Sequence, residues 1–184
     1  MGFPKQLIVH DGEPLVRRIA AAAVAAGAGR VVVVLGANAE LIAPALSGLA
    51  SVSTVVNREW SNGLASSLAT GLTALLEDAP CDAVLVTLAD QPLVDAAALR
   101  RLVAAFDDER RIVASSYDDT MGVPAVFAHE HLDDLMHLTG DAGAGSWLRS
   151  RASEVTLVPL DVAVLDIDTL ADAATLASTF LDRG

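Results

Sequence analysis

Three apolar, β-branched runs, each separated from the next by a helix-like segment, constrain this chain more than any other feature. They are RVVVVLGAN (30–38), SVSTVVN (51–57) and CDAVLVTLAD (81–90). Apolar runs without alternation are typical of strands buried on both faces of a parallel sheet. Helical segments such as EPLVRRIAAAAVAAG supply the crossovers that parallel strands need. The sequence therefore predicts an α/β fold with a three-layer, doubly wound, mostly parallel sheet.

The pattern changes after residue 110. Two strands are predicted around the turn DDTMG, followed by a helix, the loop TGDAGAGS, a helix, the strand VTLVPL, the strand AVLDIDT and a last helix. We find no internal repeat and no low-complexity linker in the 184 residues. A chain of this length is typical of one domain, and we expect residues 1–184 to form a single domain.

Composition excludes several classes of function. Twelve Lys and Arg against 24 Asp and Glu give a net charge of −12, which argues against a nucleic-acid-binding surface. No stretch reaches the roughly 18 apolar residues of a membrane span, and no signal peptide is recognisable. The single cysteine, Cys81, excludes an intrachain disulfide, and it precedes a strand, which gives covalent catalysis no support. We expect a cytoplasmic protein without membrane or nucleic-acid partners.

Two acidic positions are candidate metal ligands. Asp90 follows an apolar strand, where a carboxylate would lie at the ligand crevice of an open α/β sheet. It fits a Mg²⁺ ligand and, equally well, the cap of a helix beginning near Pro92. Asp166 and Asp168 would share one face of a strand and could also hold a divalent cation. The sequence alone favours Asp168 as the cap of the last helix.

Polar and glycine-rich loops provide the other candidates. Asn62, Gly63, Ser66 and Ser67 cluster at a helix start beside Trp60 and could contact a base, ribose or phosphate. Capping, small-residue packing and, for Trp60, core packing explain them equally simply. Two further loops contain Gly122 with Pro124 and Gly140 with Asp141, where glycine lets a backbone approach a ligand. Lys5 is the only lysine of an acidic chain and could contact phosphate, although most lone lysines are merely solvated.

In this order, these segments resemble the MobA-like nucleotidyltransferases, and most closely their molybdenum cofactor cytidylyltransferase branch. The resemblance covers nearly the whole chain. It is carried by MGFPKQLIVHDGEPLVRRI, VVVVLGAN, VVNREWSNGLASSLATGL, LVTLADQPLV, IVASSYDDTMGVPAVF, LTGDAGAG and LDIDT. The resemblance implies a nucleotide-diphospho-sugar transferase-like fold. It also implies transfer of CMP from CTP, or of a nucleotide from another NTP, to a phosphorylated acceptor such as molybdopterin.

The resemblance also implies roles for single residues. It assigns Lys5 and Asp90 to catalysis and Asp90 and Asp168 to Mg²⁺. The nucleotide would be bound by Lys5, Gly36, Asn62, Gly63, Ser66 and Ser67, and the acceptor by Gly122, Pro124, Gly140 and Asp141. A molybdoenzyme apo-protein or its chaperone is the implied protein partner.

The chain departs from the family pattern at several positions. Family members carry a strand and a Leu-Ala-Ala-Gly-x-Ser-x-Arg loop before Met-Gly-x-Pro-Lys, so we expect that first strand, its glycine-rich loop and its arginine to be missing here. Leu64 and Ala65 replace a usual methionine and serine, and Leu170 replaces a proline. Ala142 and Gly145 stand where a lysine and an arginine are common. Two alternatives remain: a cofactor-binding or delivery protein without turnover, and a nucleotide-sugar glycosyltransferase of related fold.

Overall fold

The computed structural model describes residues 4–118 and 120–163 of the chain. Its strands are β1 (Val9–His10), β2 (Glu13–Pro14), β3 (Val31–Leu35), β4 (Val52–Val56), β5 (Ala83–Val86), β6 (Ile112–Tyr117), β7 (Thr120–Ala128) and β8 (Thr156–Pro159). Its α-helices are α1 (Leu15–Ala25), α2 (Ala39–Ile42), α3 (Leu64–Asp78), α4 (Ala96–Ala105), α5 (Leu132–Met136) and α6 (Ala144–Ser150). None of the described helices is both long enough and apolar enough to cross a membrane.

The strands form sheets that contain both parallel and antiparallel neighbours. β3 and β4 are parallel, with Val31 opposite Val52 and Leu35 opposite Val56. The second sheet has the order β5-β7-β6-β8. Only β7 is antiparallel there, so β5, β6 and β8 run in the same direction and end at the same edge. The α/β class predicted from the sequence is confirmed.

Helices cover both faces of the longer sheet because successive strand side chains point to opposite sides. Ile112 and Ala114 of β6 pack with residues of α3, α5 and α6, whereas Val113 between them packs against α1 and α4. Phe127 of β7 meets the ring of Trp147 edge-on, with centroids 5.7 Å apart. The alternation places one apolar cluster on each face and gives the predicted three layers.

No ladder joins β3 to β5 in the described part of the chain, so each has an edge without a strand neighbour there. Side-chain packing connects the two sheets instead. Val31 of β3 and Ala89, which follows β5, each pack against the clusters on both sides of this junction. The turn after β5 consequently lies next to the β3 sheet.

Local sequence explains where the elements end. Pro44 follows the single turn of α2, and the chain continues as a 3₁₀ turn over Ala43–Leu46. Gly27, with φ of +103°, ends α1, and its N–H donates to the carbonyl of Val24. Asp95 caps α4, since its side chain accepts a hydrogen bond of 2.8 Å from the N–H of Ala98.

Candidate functional site

An ion pair between Lys5 and Asp90 lies beyond the carboxyl end of β5. Lys5 begins a 3₁₀ turn, and its Nζ donates to Oδ2 of Asp90 at 2.6 Å. The aspartate side chain is only 18% exposed, and its other oxygen, Oδ1, is buried without a hydrogen-bond partner. A buried carboxylate oxygen with no donor is costly, and it can accept a cation or a donor from a ligand.

The helix-cap alternative for Asp90 is wrong. β5 ends at Val86, earlier than the apolar run suggests, and residues 87–95 form turns rather than a helix. The next helix begins at Ala96 and is capped by Asp95. The carboxylate of Asp90 is therefore available for a role other than capping.

Gln91 fixes the turn that carries Asp90. Its side chain is buried, with 3% of the residue exposed. The amide Nε2 donates to the carbonyl of Val123 in β7 at 3.2 Å and to that of Ala163 at 3.1 Å. One side chain thereby ties the Asp90 turn to β7 and to the segment that follows β8.

We expect Gln91→Met to lower the free energy of unfolding by about 1–3 kcal/mol, because two buried carbonyls lose their donor. Gln91→Glu should lower the free energy of unfolding more at pH 8 than at pH 5. The two carbonyl oxygens repel the charged carboxylate and thereby raise its pKa in the folded protein. The stability of that variant should therefore be retained at low pH and be lost as the pH increases. Urea denaturation of both variants at the two pH values measures this. If Gln91→Glu lost the same amount of stability at pH 5 and at pH 8, the assigned contacts of Gln91 would be contradicted.

A buried asparagine organises the start of α3. Asn57 directly follows β4 and is 3% exposed. Its Nδ2 donates to Oγ of Ser66 at 2.9 Å and of Ser67 at 3.0 Å, while its Oδ1 accepts from the N–H of Glu59 at 2.9 Å. The hydroxyl of Ser66 also lies 2.8 Å from the carbonyl of Gly63. The two serines thus hold the shape of the turn between β4 and α3.

The predicted nucleotide and acceptor loops touch each other at Gly63. Its φ of +100° favours glycine, and a Cβ there would overlap the carbonyl group of Gly140 and lie 2.7 Å from Oδ1 of Asp141. The N–H of Ala65 donates to the carbonyl of Gly140 at 3.1 Å. The start of α3 and the loop before α6 therefore form one interlocked surface.

Two other predicted positions also make close contacts. A Cβ on Gly36, just after β3, would lie 2.9 Å from Cβ of Trp60. Trp60 is 49% exposed, so the expectation that it packs in the core is wrong. Its ring is half-exposed directly beside the end of β3.

Gly122 and Pro124 lie in strand β7 rather than in the expected loop, and the register of the β6–β7 pair is irregular there. The register shifts between Ala114 and Ser115. The fully buried hydroxyl of Ser115 lies 3.0 Å from the carbonyl oxygen of Gly122 and 2.9 Å from that of Pro124, so it supplies a donor where the ladder is interrupted. These two positions and Asp90 are linked through the contact of Gln91 with Val123.

Metal and nucleophile candidates are limited in the described residues. No group of three His, Cys, Asp or Glu side chains is gathered there. Asp168, with Asp166, lies outside the described residues. Burial raises the pKa of the Cys81 thiol, which disfavours the nucleophilic thiolate.

Sequence reasoning missed several residues around the site. It did not single out Ser115, Tyr117 or Arg149 for any role, and it gave Gln91 no contact of its own. A serine inside the apolar strand of IVASSY was the one available signal, because a buried hydroxyl needs a partner. Tyr117 ends β6, with its hydroxyl 2.6 Å from the point where a Cβ on Gly122 would be, and Arg149 lies in α6. Their positions depend on how these elements pack, which no local pattern encodes.

A three-layer α/β sheet of this kind is the fold of nucleotidyltransferases of the nucleotide-diphospho-sugar transferase type. The chain belongs to the family of the MobA-like NTP transferase domain, whose model matches residues 1–157. The family relationship and the fold expected from the sequence are thereby confirmed.

Known proteins similar to this chain cover most of its length. The nicotine blue oxidoreductase of Paenarthrobacter nicotinovorans is 31% identical over 164 residues, covering 84% of this chain and 78% of that protein. The crystal structure of Rv0371c from Mycobacterium tuberculosis is 28% identical with a TM-score of 0.78, covering 97% of this chain and 91% of that one. A nucleotidyl transferase from Methanothermobacter (Mth528) has a TM-score of 0.81 at 24% identity, covering 98% of this chain and 86% of that one. This likeness supports the fold alone.

Proposed function

We propose that this protein transfers a nucleotidyl group from CTP, or from another nucleoside triphosphate, to a phosphorylated acceptor such as molybdopterin. Pyrophosphate is the second product. The observation that carries the proposal is the Lys5–Asp90 pair, in which one carboxylate oxygen accepts from the lysine and the other is buried without a partner. It lies on the MobA-like domain that the chain carries.

The proposed reaction needs alignment and charge neutralisation more than proton transfer. An oxygen of the acceptor phosphate forms the new bond to the α-phosphorus, and the bond from that phosphorus to the bridging oxygen breaks. The bridging oxygen leaves with the electron pair, as part of pyrophosphate. The nucleophile is already anionic, so no strong base is required, and the ammonium group of Lys5 would offset charge that develops on the triphosphate.

A divalent cation fits the residues at this position. Mg²⁺ is commonly held in proteins by one or two carboxylates together with substrate phosphates and water. Asp90 offers a buried, unpartnered Oδ1 for this purpose, and Asp168 is proposed as the second ligand. When bound, Mg²⁺ would neutralise charge on the α-phosphate. Rv0371c, 28% identical to this chain, has been solved as a complex with manganese.

The loop at the start of α3 is proposed to hold the nucleotide. Gly36, Asn62 and Gly63 would bring backbone close to it, while Ser66 and Ser67 would act mainly by shaping the turn, because Asn57 already binds both hydroxyls. Gly122, Pro124, Gly140 and Asp141 are proposed for the acceptor side. The contact of Gly63 with Gly140 supports neighbouring nucleotide and acceptor sites.

Thermal unfolding with CTP, GTP and ATP, each with and without Mg²⁺, tests the proposal. A ligand at about 100 times its Kd stabilises the native state by about 2.7 kcal/mol. For a chain of this size, that corresponds to a rise in Tm of about 5–10 °C. We expect the largest rise with CTP and Mg²⁺, followed by pyrophosphate release when molybdopterin is added.

Each other outcome has a defined meaning. Equal shifts for the three nucleotides would remove the preference for CTP and leave a general nucleotidyltransferase. No shift with any nucleoside triphosphate would contradict the proposal and leave an oxidoreductase function as the second candidate. The nicotine blue oxidoreductase that resembles this chain is the specific observation behind that second candidate.

A further inference from the structure

A cavity of about 530 Å³ lies at the carboxyl ends of β6 and β8. Its polar lining residues are Ser116, Tyr117, Asp118, Thr120, Arg149 and Asp161, and its apolar ones are Met121, Leu157 and Pro159. β5 ends at the same edge of the sheet because it runs parallel to β6 and β8, and Asp90 follows β5. The volume is in the range of small-molecule sites.

Arg149 is the cation of this cavity. Within the described residues its guanidinium makes no hydrogen bond and no ion pair, and the side chain is exposed. Arg151, two residues further along, is in contrast engaged, since it pairs with Asp134 and lies over the ring of Trp147 at 4.7 Å. Arg149 thus has its donors available to a ligand.

Gly145 explains how Arg149 is placed. The two residues are one turn apart on α6, so they lie on the same face of the helix. Nη1 of Arg149 is 3.3 Å from the point where a Cβ on residue 145 would be. Because glycine has no side chain, the guanidinium can fold back along α6 over this position and stay at the cavity.

The other groups restrict the ligand. Two carboxylates beside one guanidinium make the cavity unfavourable for a bare anion, because like charges repel. A guanidinium fork suits a phosphate, whereas carboxylates accept hydrogen bonds from O–H or N–H donors. The polar part of the lining therefore fits a phosphomonoester with hydroxyl or amino groups, and Met121, Leu157 and Pro159 can contact an apolar portion of the same ligand.

We propose that this cavity binds the phosphorylated acceptor, with Arg149 contacting its phosphate and Asp118 and Asp161 accepting from its polar groups. The identification of the ligand as the acceptor rests on the proposed function. Arg149 thereby has a specificity role, since a neutral acceptor would gain less from the guanidinium than a phosphate does. The cavity and Asp90 are connected through β7, where Gln91 binds the carbonyl of Val123.

The experiment measures binding of three probes by isothermal titration calorimetry at constant ionic strength: ribose 5-phosphate, inorganic phosphate and ribose. The variants are Arg149→Ala, Arg149→Lys and, as matched control, Arg110→Ala. Arg110 pairs with Asp107 in the exposed turn before β6, at the opposite edge of the sheet, so its loss changes net charge equally. CTP with Mg²⁺ is titrated separately into every variant.

We expect ribose 5-phosphate to bind most tightly and Arg149→Ala to weaken it about ten- to a hundredfold, with an intermediate value for Arg149→Lys. Arg110→Ala should bind all probes like the unchanged protein, and Arg149→Ala should bind CTP normally. Unaltered ribose 5-phosphate binding by Arg149→Ala, or no binding to the unchanged protein, would overturn the inference. Failure of CTP binding alone would overturn the proposed function while leaving the phosphomonoester site in place.

Discussion

Replacing Asp90 by asparagine is expected to lower metal-dependent pyrophosphate release at least about a hundredfold, in the range seen when one group that stabilises a transition state is removed. The amide keeps the size of the side chain but lacks its charge. Its oxygen is a poorer ligand for a hard divalent cation, and its nitrogen donates rather than accepts. Binding of CTP should lose its dependence on Mg²⁺ for the same reason. Turnover and calorimetric titration with and without Mg²⁺ measure the two effects.

Asp95→Asn is the matched control for this substitution. It makes the same chemical change five residues away, at the cap of α4. Asparagine caps a helix about as well as aspartate, so both stability and turnover should stay close to those of the unchanged protein. If Asp90→Asn retained full turnover and its Mg²⁺ dependence, Asp90 would have no part in the chemistry.

Much of the architecture could be predicted from the sequence because apolar runs alternate with helix-like segments. Burial on both faces was wrong for β4, where Ser53, Thr54 and Val56 are exposed, whereas β6 and β7 are largely buried. The run VVVVL has no polar residue to place at a surface, and it forms β3 between helices α1 and α3. Two strands, β6 and β7, likewise form around the predicted turn DDTMG, although β7 already begins at Thr120 within it. Gly27 and Pro44 punctuate the helices as their backbone restrictions require.

The candidate site could be predicted only in part, because its contacts join residues far apart in the chain. Lys5 and Asp90 are 85 residues apart, and nothing local indicates that they pair. Whether Asp90 is a helix cap or a metal ligand depends on where the next helix begins. That helix begins at Ala96, a few residues later than the start near Pro92 that the sequence suggests. Gln91 could be proposed for the site only as a residue just after a predicted strand, because the carbonyls that its amide binds, those of Val123 and Ala163, are far away in the sequence. The roles assigned to these residues stay predictions.

Gly63→Ala is expected to cost about 3 kcal/mol or more of the free energy of unfolding. Two effects add. The backbone of Gly63, at φ +100° and ψ 177°, is in a region that only glycine adopts readily. The new methyl group would also overlap the carbonyl of Gly140 and approach Asp141, and neither backbone can retreat without separating the two loops. A fall in Tm of about 6–12 °C should follow, together with weaker CTP binding.

Gly27→Ala tests a positive φ without the overlap. Gly27 has nearly the same φ, +103°, but a Cβ there would meet nothing within 4 Å. Left-handed backbone alone costs an alanine about 1–2 kcal/mol, so this variant should unfold earlier but bind CTP normally. Urea denaturation and calorimetry on both variants give the comparison. Equal losses of stability, with unchanged nucleotide affinity in both, would show that the contact between the start of α3 and the loop at Gly140 does not shape the nucleotide site. A larger loss confined to Gly63→Ala, accompanied by weaker binding, is the result that the interlocked loops require.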